Sequence, residues 1–167
     1  DWIVSYLADR QFDVVINDSH SSPIGINFSV PQGSINGPIY FTCYASTLGC
    51  VVSDILELVG YADDHNIYGR FKAGDSEAEK STLAALRVTL GNINSWMQEN
   101  RLKMNNDKSE FIIFGSRKSL PKCTTQDIDV ADTVVPRSEC VKLLGVFLDE
   151  NLTFKRHVSA KTRIAAL

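Results

Sequence analysis

The sequence is poor in the residues that build metal clusters and covalent frameworks. Its four cysteines (Cys43, Cys50, Cys123, Cys140) form no Cys-x-x-Cys pair, and His20, His65 and His157 are scattered. That argues against a structural zinc site, and the thiols read as buried and reduced in an intracellular protein. No apolar run approaches membrane-spanning length and no secretory leader is visible, so no membrane partner is expected. Internal repeats and low-complexity tracts are missing too. Basic residues are nearly absent from the first part: residues 1–64 hold one base, Arg10, against eight acids. Residues 65–167 hold sixteen bases against twelve acids, which leaves the chain at a net −3. An acidic part suited to metal ions is followed by a basic part, although ordinary fluctuation in a mildly acidic protein gives the same split and charge alone does not decide between them.

What is present is ordinary globular material, with 44% hydrophobic and 22% charged residues in 167. That suits one domain or a sizeable piece of a larger one. The chain opens at Asp1 and stops within a helical pattern at Leu167, and is read as an internal fragment of a longer protein.

Trp2, Ile3, Tyr6 and Leu7 have helical spacing, predicting the end of an amphipathic helix over residues 1–9. Phe12, Val14 and Ile16 alternate as a strand, Asn17-Asp18-Ser19 supplies a turn, and Ile24, Ile26 and Phe28 form the return strand. A helix follows from Pro38 to Leu48, ended by Gly49. Apolar residues around Tyr61-Ala62-Asp63-Asp64 predict a β-hairpin from Leu56 to Phe71. Ser76 and Glu79 have capping-box spacing. The helix they start carries Leu83, Leu86, Leu90, Ile93 and Met97 on one stripe, with Trp96 alongside, and runs to about Asn100. Phe111–Phe114 reads as a buried strand, with others near Ile128–Val130 and Val141–Leu148, the last bent at Gly145; a hairpin over Val141–Asp149 is the alternative, with a plain core strand the safer reading. Asn151 or Thr153 caps a final helix bearing Lys155, Arg156, Lys161 and Arg163.

Two patterns carry chemistry. Asp63 and Asp64 at a hairpin tip offer hard oxygen ligands to Mg²⁺, an ion that takes carboxylates together with substrate phosphates. Alone, an Asp-Asp turn needs no metal, because aspartate favours turns. Thirty residues earlier stands Pro31-Gln32-Gly33-Ser34-x-x-Gly37-Pro38. There Gly33 permits close backbone approach to a nucleotide, and Gln32 offers an amide toward sugar or base. A plain turn before a helix would explain the glycine and proline but not the glutamine. Lys108, in the loop after the long helix, is placed where a cation can approach a triphosphate. A solvated lysine is an equal reading of the residue type.

The order Ser-Tyr-Leu-x-x-Arg, Val-Pro-Gln-Gly-Ser-x-x-Gly-Pro, Tyr-Ala-Asp-Asp, Trp-Met-x-x-Asn, Lys-x-Glu-Phe and Leu-Gly-Val-x-Leu-Asp resembles the reverse transcriptase of non-LTR (LINE-type, jockey-like) retrotransposons, from about Trp2 to His157. The resemblance implies an α+β right-hand polymerase palm, an antiparallel sheet with helices on one face. The palm would occupy residues 1–150, the start of a thumb residues 151–167, and the fingers would lie outside the chain. It implies RNA-templated DNA synthesis with deoxynucleoside triphosphates, a DNA primer and Mg²⁺ bound by Asp63 and Asp64, at a nuclear site of action. Gln32 and Gly33 would contact the incoming nucleotide, Tyr61 would lie near the primer end, Lys108 near the phosphates, and Leu144-Gly145 in the primer grip. In such enzymes a further catalytic aspartate precedes the segment matching Asp1–Arg10, and none of Asp9, Asp13 and Asp18 has its strand context. Ser29 stands where many relatives have glycine. The alternatives are a non-catalytic transposon relic, serving as an RNA-binding or structural module or having no function, and a group II intron or other cellular reverse transcriptase.

Overall fold

The computed structural model describes residues 2–27, 30, 33–130 and 133–165, which form two compact units, Asp1–Ser46 and Thr47–Leu167. The whole is α+β, with strands paired as small antiparallel ladders rather than one continuous sheet.

In the first unit, α1 (Trp2–Leu7) is followed by β1 (Arg10–Phe12), β2 (Val15–Ile16), β3 (Ser19–His20) and β4 (Ile24–Ile26). The single strand expected over Phe12–Ile16 is two pieces. β2 pairs β3 across a turn whose residues take φ +46° at Asn17 and +63° at Asp18, the left-handed pair a tight hairpin requires. β1 pairs β4 in a register offset by one, Phe12 opposite Ile24 and Val15 opposite His20, so the return strand holds one extra residue. That bulge, around Pro23, breaks the strand. Phe28 lies outside the described residues. The helix α2 (Gly37–Ala45) starts with Pro38 in its first turn, as expected. Gly49 does not end it; a 3₁₀ segment, Ser46–Val51, runs through that glycine. Tyr6 connects the unit's helices, its ring stacked on Trp2 at 5.4 Å and tilted on Tyr40 at 5.6 Å.

The second unit is organised by one hairpin and one long helix. β5 (Leu56–Tyr61) pairs β6 (Asp64–Gly69) in full register from Leu56↔Gly69 to Tyr61↔Asp64. α3 (Ser76–Glu99) ends at Asn100 as its pattern predicts, but begins differently. Asp75 is the N-cap, its Oδ1 accepting from Ala78 N at 3.0 Å, and Ser76 is the first helical residue. Glu79 does not reach back to the cap. It is buried, and its Oε1 accepts from Thr124 N, Thr125 N and Thr125 Oγ1 at 2.8, 2.9 and 2.8 Å.

The predicted stripe on α3 faces the core. Leu83 is buried with Phe111, Ile113, Leu120, Cys123, Ile128, Val130 and Val135, while Leu86 and Leu90 pack against this cluster. Thr89 is buried as well, because its hydroxyl accepts from Ser53 N at 3.2 Å, and Trp96 Nε1 donates to Thr47 Oγ1 at 3.1 Å.

Phe111 and Ile113 are in the core as expected, yet their segment forms no ladder; it makes one isolated bridge, Phe111 to Arg137. β7 (Asp127–Val130) and β8 (Thr133–Pro136) pair next, followed by β9 (Cys140–Leu143) and β10 (Val146–Asp149). The plain strand preferred for Val141–Leu148 is thus not what forms; the alternative hairpin is, with Leu144 at φ +45° and Gly145 at φ +84° as its tip. Arg137 and Glu150 clamp its base by an ion pair of 3.1 Å. Neither expected residue anchors the entry to α4 (Lys155–Ala165) by itself. The Asp149 carboxylate accepts from Thr153 N at 2.9 Å, Phe154 N at 2.8 Å and Thr153 Oγ1 at 3.1 Å.

Of the thiols read as buried, Cys123 is; Cys43 and Cys50 are exposed, and all four are free. Burial and the nearby Glu79 charge push the Cys123 thiol above its ordinary value. Among the described residues no helix is long and apolar enough to cross a membrane.

Candidate functional site

The β5–β6 hairpin closes in the shortest common way, with Ala62 and Asp63 as its two turn residues. Ala62 takes φ +54°, the sign that I′ and II′ hairpin turns require at the first central position. Alanine there costs on the order of 1–2 kcal/mol relative to glycine, a local strain held by the six cross-strand pairs behind it.

Pairing register sorts the side chains. Tyr61 faces Asp64 across the strands, so both stand on one side of the hairpin with Glu57, Val59, Asn66 and Tyr68. That side is mostly exposed, Tyr61 at 67%. The opposite side holds Leu56, Leu58, Gly60, His65, Ile67 and Gly69 and rests on α3: a Cβ on Gly69 would lie 2.6 Å from Thr82 Cγ2. Packing one side on α3 therefore leaves Tyr61 and Asp64 open at the tip, with Asp63 exposed beside them.

His65 is a residue that the motif reading passed over. Its Nδ1–H donates to the main-chain oxygen of Asp63 at 3.1 Å. Its ring covers Gly60, where a Cβ would meet His65 Cδ2 at 3.1 Å and Nε2 at 3.3 Å. The signal was available, because Gly60 and His65 lie symmetrically about the turn.

The other expected residues belong to other elements. Gln32 lies outside the described residues. Gly33 has φ +81°, a backbone that favours glycine, and Ser34 Oγ accepts from Gly37 N at 3.1 Å at the start of α2. Lys108 closes the 3₁₀ turn Asn106–Lys108 and is exposed. Leu144 and Gly145 form the β9–β10 tip. Behind them the Phe147 ring lies 5.7 Å from Lys142 Nζ and 5.0 Å from the Arg156 guanidinium, a pair of cations on one aromatic face-bearing residue.

Among the described residues no group of three or more His, Cys, Asp or Glu converges to hold a metal ion. Asp63 and Asp64 supply part of a hard-oxygen donor set, which fits a divalent cation that completes its shell with phosphates and further oxygens.

A family model for the reverse transcriptase (RNA-dependent DNA polymerase) matches residues 1–148. The chain belongs to this family. It is 30% identical, over 95% of its length, to the probable RNA-directed DNA polymerase from transposon BS of Drosophila melanogaster. To the probable RNA-directed DNA polymerase from transposon X-element of the same fly it is 28% identical over 97% of its length. To the RNA-directed DNA polymerase from mobile element jockey it is 27% identical over 94%. The chain spans about 17% of the length of these curated relatives. No solved structure matches it. The resemblance to non-LTR reverse transcriptases is therefore borne out, and this reverse transcriptase segment carries Tyr61-Ala62-Asp63-Asp64 at a hairpin tip.

Proposed function

We propose that the chain is the palm and the start of the thumb of a non-LTR retrotransposon polymerase, which copies an RNA template into DNA from a DNA primer and deoxynucleoside triphosphates. The observation that carries this reading is the Tyr61–Asp64 tip, with Asp63 on the two-residue turn and Asp64 at the first ladder position after it, both exposed, in a chain of this family. Residues 1–150 correspond to the palm and 151–167 to the thumb's first helix, and the parent acts in the nucleus.

Asp63 and Asp64 would hold Mg²⁺ together with a carboxylate from outside these residues. Bound there, such ions supply activation of the primer hydroxyl and neutralisation of charge on the departing pyrophosphate. Tyr61, beside Asp64, would support the primer end. Gly33 admits the nucleotide to the main chain, and Gln32 orients it by its amide. Lys108 brings a positive charge toward the phosphates, and the Leu144-Gly145 tip bears on the primer strand. The test is primer extension on an RNA template by the protein with the region upstream of Asp1 restored. Mg²⁺-dependent extension lost in Asp63→Asn supports the reading. An inert, folded protein leaves only the family and the fold.

A further inference from the structure

Ala62 holds a left-handed backbone without being glycine, and Asp63, the more distal carboxylate, sits on the turn rather than in the ladder. A side chain reaches from the ladder to that turn: His65 donates from Nδ1 to Asp63 O at 3.1 Å. Gly60 is what lets it do so. The Gly60–His65 pair is the second from the turn, and the imidazole lies over the glycine within 3.1–3.3 Å of where a Cβ would be. A Cβ at 60 would press on the ring, which would have to give by a few tenths of an ångström. Histidine at 65 also bears a second nitrogen, Nε2, facing away from the bond to Asp63.

We propose that His65 is a positioning residue: its Nδ1–H, seated by Gly60, fixes the Asp63 main chain and so presents the Asp63 carboxylate for divalent-cation binding. The proposal rests on the reading of Asp63 as a metal ligand. The mechanism is that of an outer-shell hydrogen bond. A ligand whose backbone is held in one conformation loses less freedom when the cation arrives, and loss of such a partner commonly costs 10–100-fold in metal affinity. Because the bond goes to a carbonyl, it requires the tautomer with the proton on Nδ1. Asparagine at 65 can offer a side-chain N–H of similar reach; alanine cannot.

Two measurements test it. Histidine-labelled protein, with the His65 signals assigned by their loss in His65→Asn, is expected to show the Nδ1–H tautomer at 65 by ¹⁵N NMR, and Gly60→Ala is expected to abolish that preference. Mn²⁺ binding to the upstream-restored protein, read by EPR, is expected to weaken about tenfold in His65→Ala and Gly60→Ala. His65→Asn recovers most of it, and the melting temperature stays close to the parent's in all three. A merely structural role would move the melting temperature and show no rescue by asparagine. An Nε2–H tautomer at His65, or unchanged Mn²⁺ affinity in His65→Ala while Asp63→Asn weakens it, overturns the proposal and leaves Asp63 as a ligand. Unchanged affinity in Asp63→Asn overturns the metal reading itself and this proposal with it.

Discussion

Glu79 takes both the main-chain N–H and the hydroxyl of Thr125, at 2.9 and 2.8 Å, and so fastens the first turn of α3 to the segment leading into β7. A carboxylate this buried is tolerated because N–H and O–H donors from Thr124 and Thr125 replace its water. Glu79→Ala removes the acceptor and leaves those donors unpaired in a confined space. The expected loss is about 2–3 kcal/mol by urea denaturation, with Glu79→Gln intermediate because an amide oxygen still accepts.

The same carboxylate predicts acid sensitivity. Burial alone would raise its pKa, but the hydrogen bonds from Thr125 and Thr124 outweigh it, and the net direction is below the ordinary 4.5. A depressed folded-state value means that Glu79 adds stability above about pH 4.5 and loses it as pH falls through the lower, folded value. The hydrogen bond from Thr153 N, with others from Thr153 and Phe154, lowers Asp149 in the same sense. Urea midpoints measured from pH 7 down to pH 3 should fall in the parent, and fall less in Glu79→Gln. Equal slopes for the two would remove Glu79 from the acid response.

Two glycines make opposite predictions from one substitution. At Gly69 a Cβ would lie 2.6 Å from both Leu56 Cδ2 and Thr82 Cγ2, and threonine, being β-branched, has little room to turn. Gly69→Ala should destabilise by about 1–3 kcal/mol through overpacking between hairpin and helix. Gly91 lies inside α3 with nothing within 4 Å of its Cβ position. Gly91→Ala should stabilise by about 0.5–1 kcal/mol, because the unfolded chain loses freedom and the helix gains propensity. Thermal melts of both variants check the pair.

The legibility of this molecule followed the range of the interactions. The α3 stripe is readable from local periodicity and the β5–β6 hairpin from the apolar flanks of Asp63-Asp64, while its turn pair is Ala62-Asp63, one residue earlier, with an alanine at positive φ that no turn preference supplies. Ser76 was misread as the cap because Asp75 has equal right to the role, and spacing cannot tell which of two adjacent polar residues turns first. Glu79 was misread because its partners are Thr124 and Thr125, 45 and 46 residues away. For Val141–Asp149 the sequence allows both a plain strand and a hairpin and favours the strand, since a leucine at positive φ, as Leu144 has, carries no sequence signature. At the candidate site, the identity of Asp63 and Asp64 came from motif order, whereas the seat of His65 on Gly60 needed the register.

Self-association is the next expectation. The β5–β6 ladder is two-stranded, with both of its outer edges free of strand partners among the described residues, and Val59 and Tyr61 lie exposed on one side. Ile16 and Ile35, at 67% and 91% exposure, add apolar surface in the first unit. Unpaired edges beside apolar side chains are templates for association. Sedimentation of the 167-residue chain should show mass rising with concentration. A monodisperse monomer that unfolds cooperatively would count against this.

The last prediction separates a polymerase from a relic. The tip offers two carboxylates, and a two-metal site needs further oxygen donors, so the 167-residue chain alone should not extend a primer on an RNA template. With the upstream region restored, Asp63→Asn and Asp64→Asn each replace a charged ligand by a neutral group of nearly the same shape. Loss of that charge stabilisation should lower the extension rate on the order of a hundredfold or more, with unfolding midpoints unchanged because both side chains are exposed. Ala62→Gly provides the contrast: it relieves the positive φ at Ala62 without touching a carboxylate, and should leave extension within a few-fold of the parent. If both aspartate variants extend primers as the parent does, the carboxylates are an ordinary turn on an inherited fold.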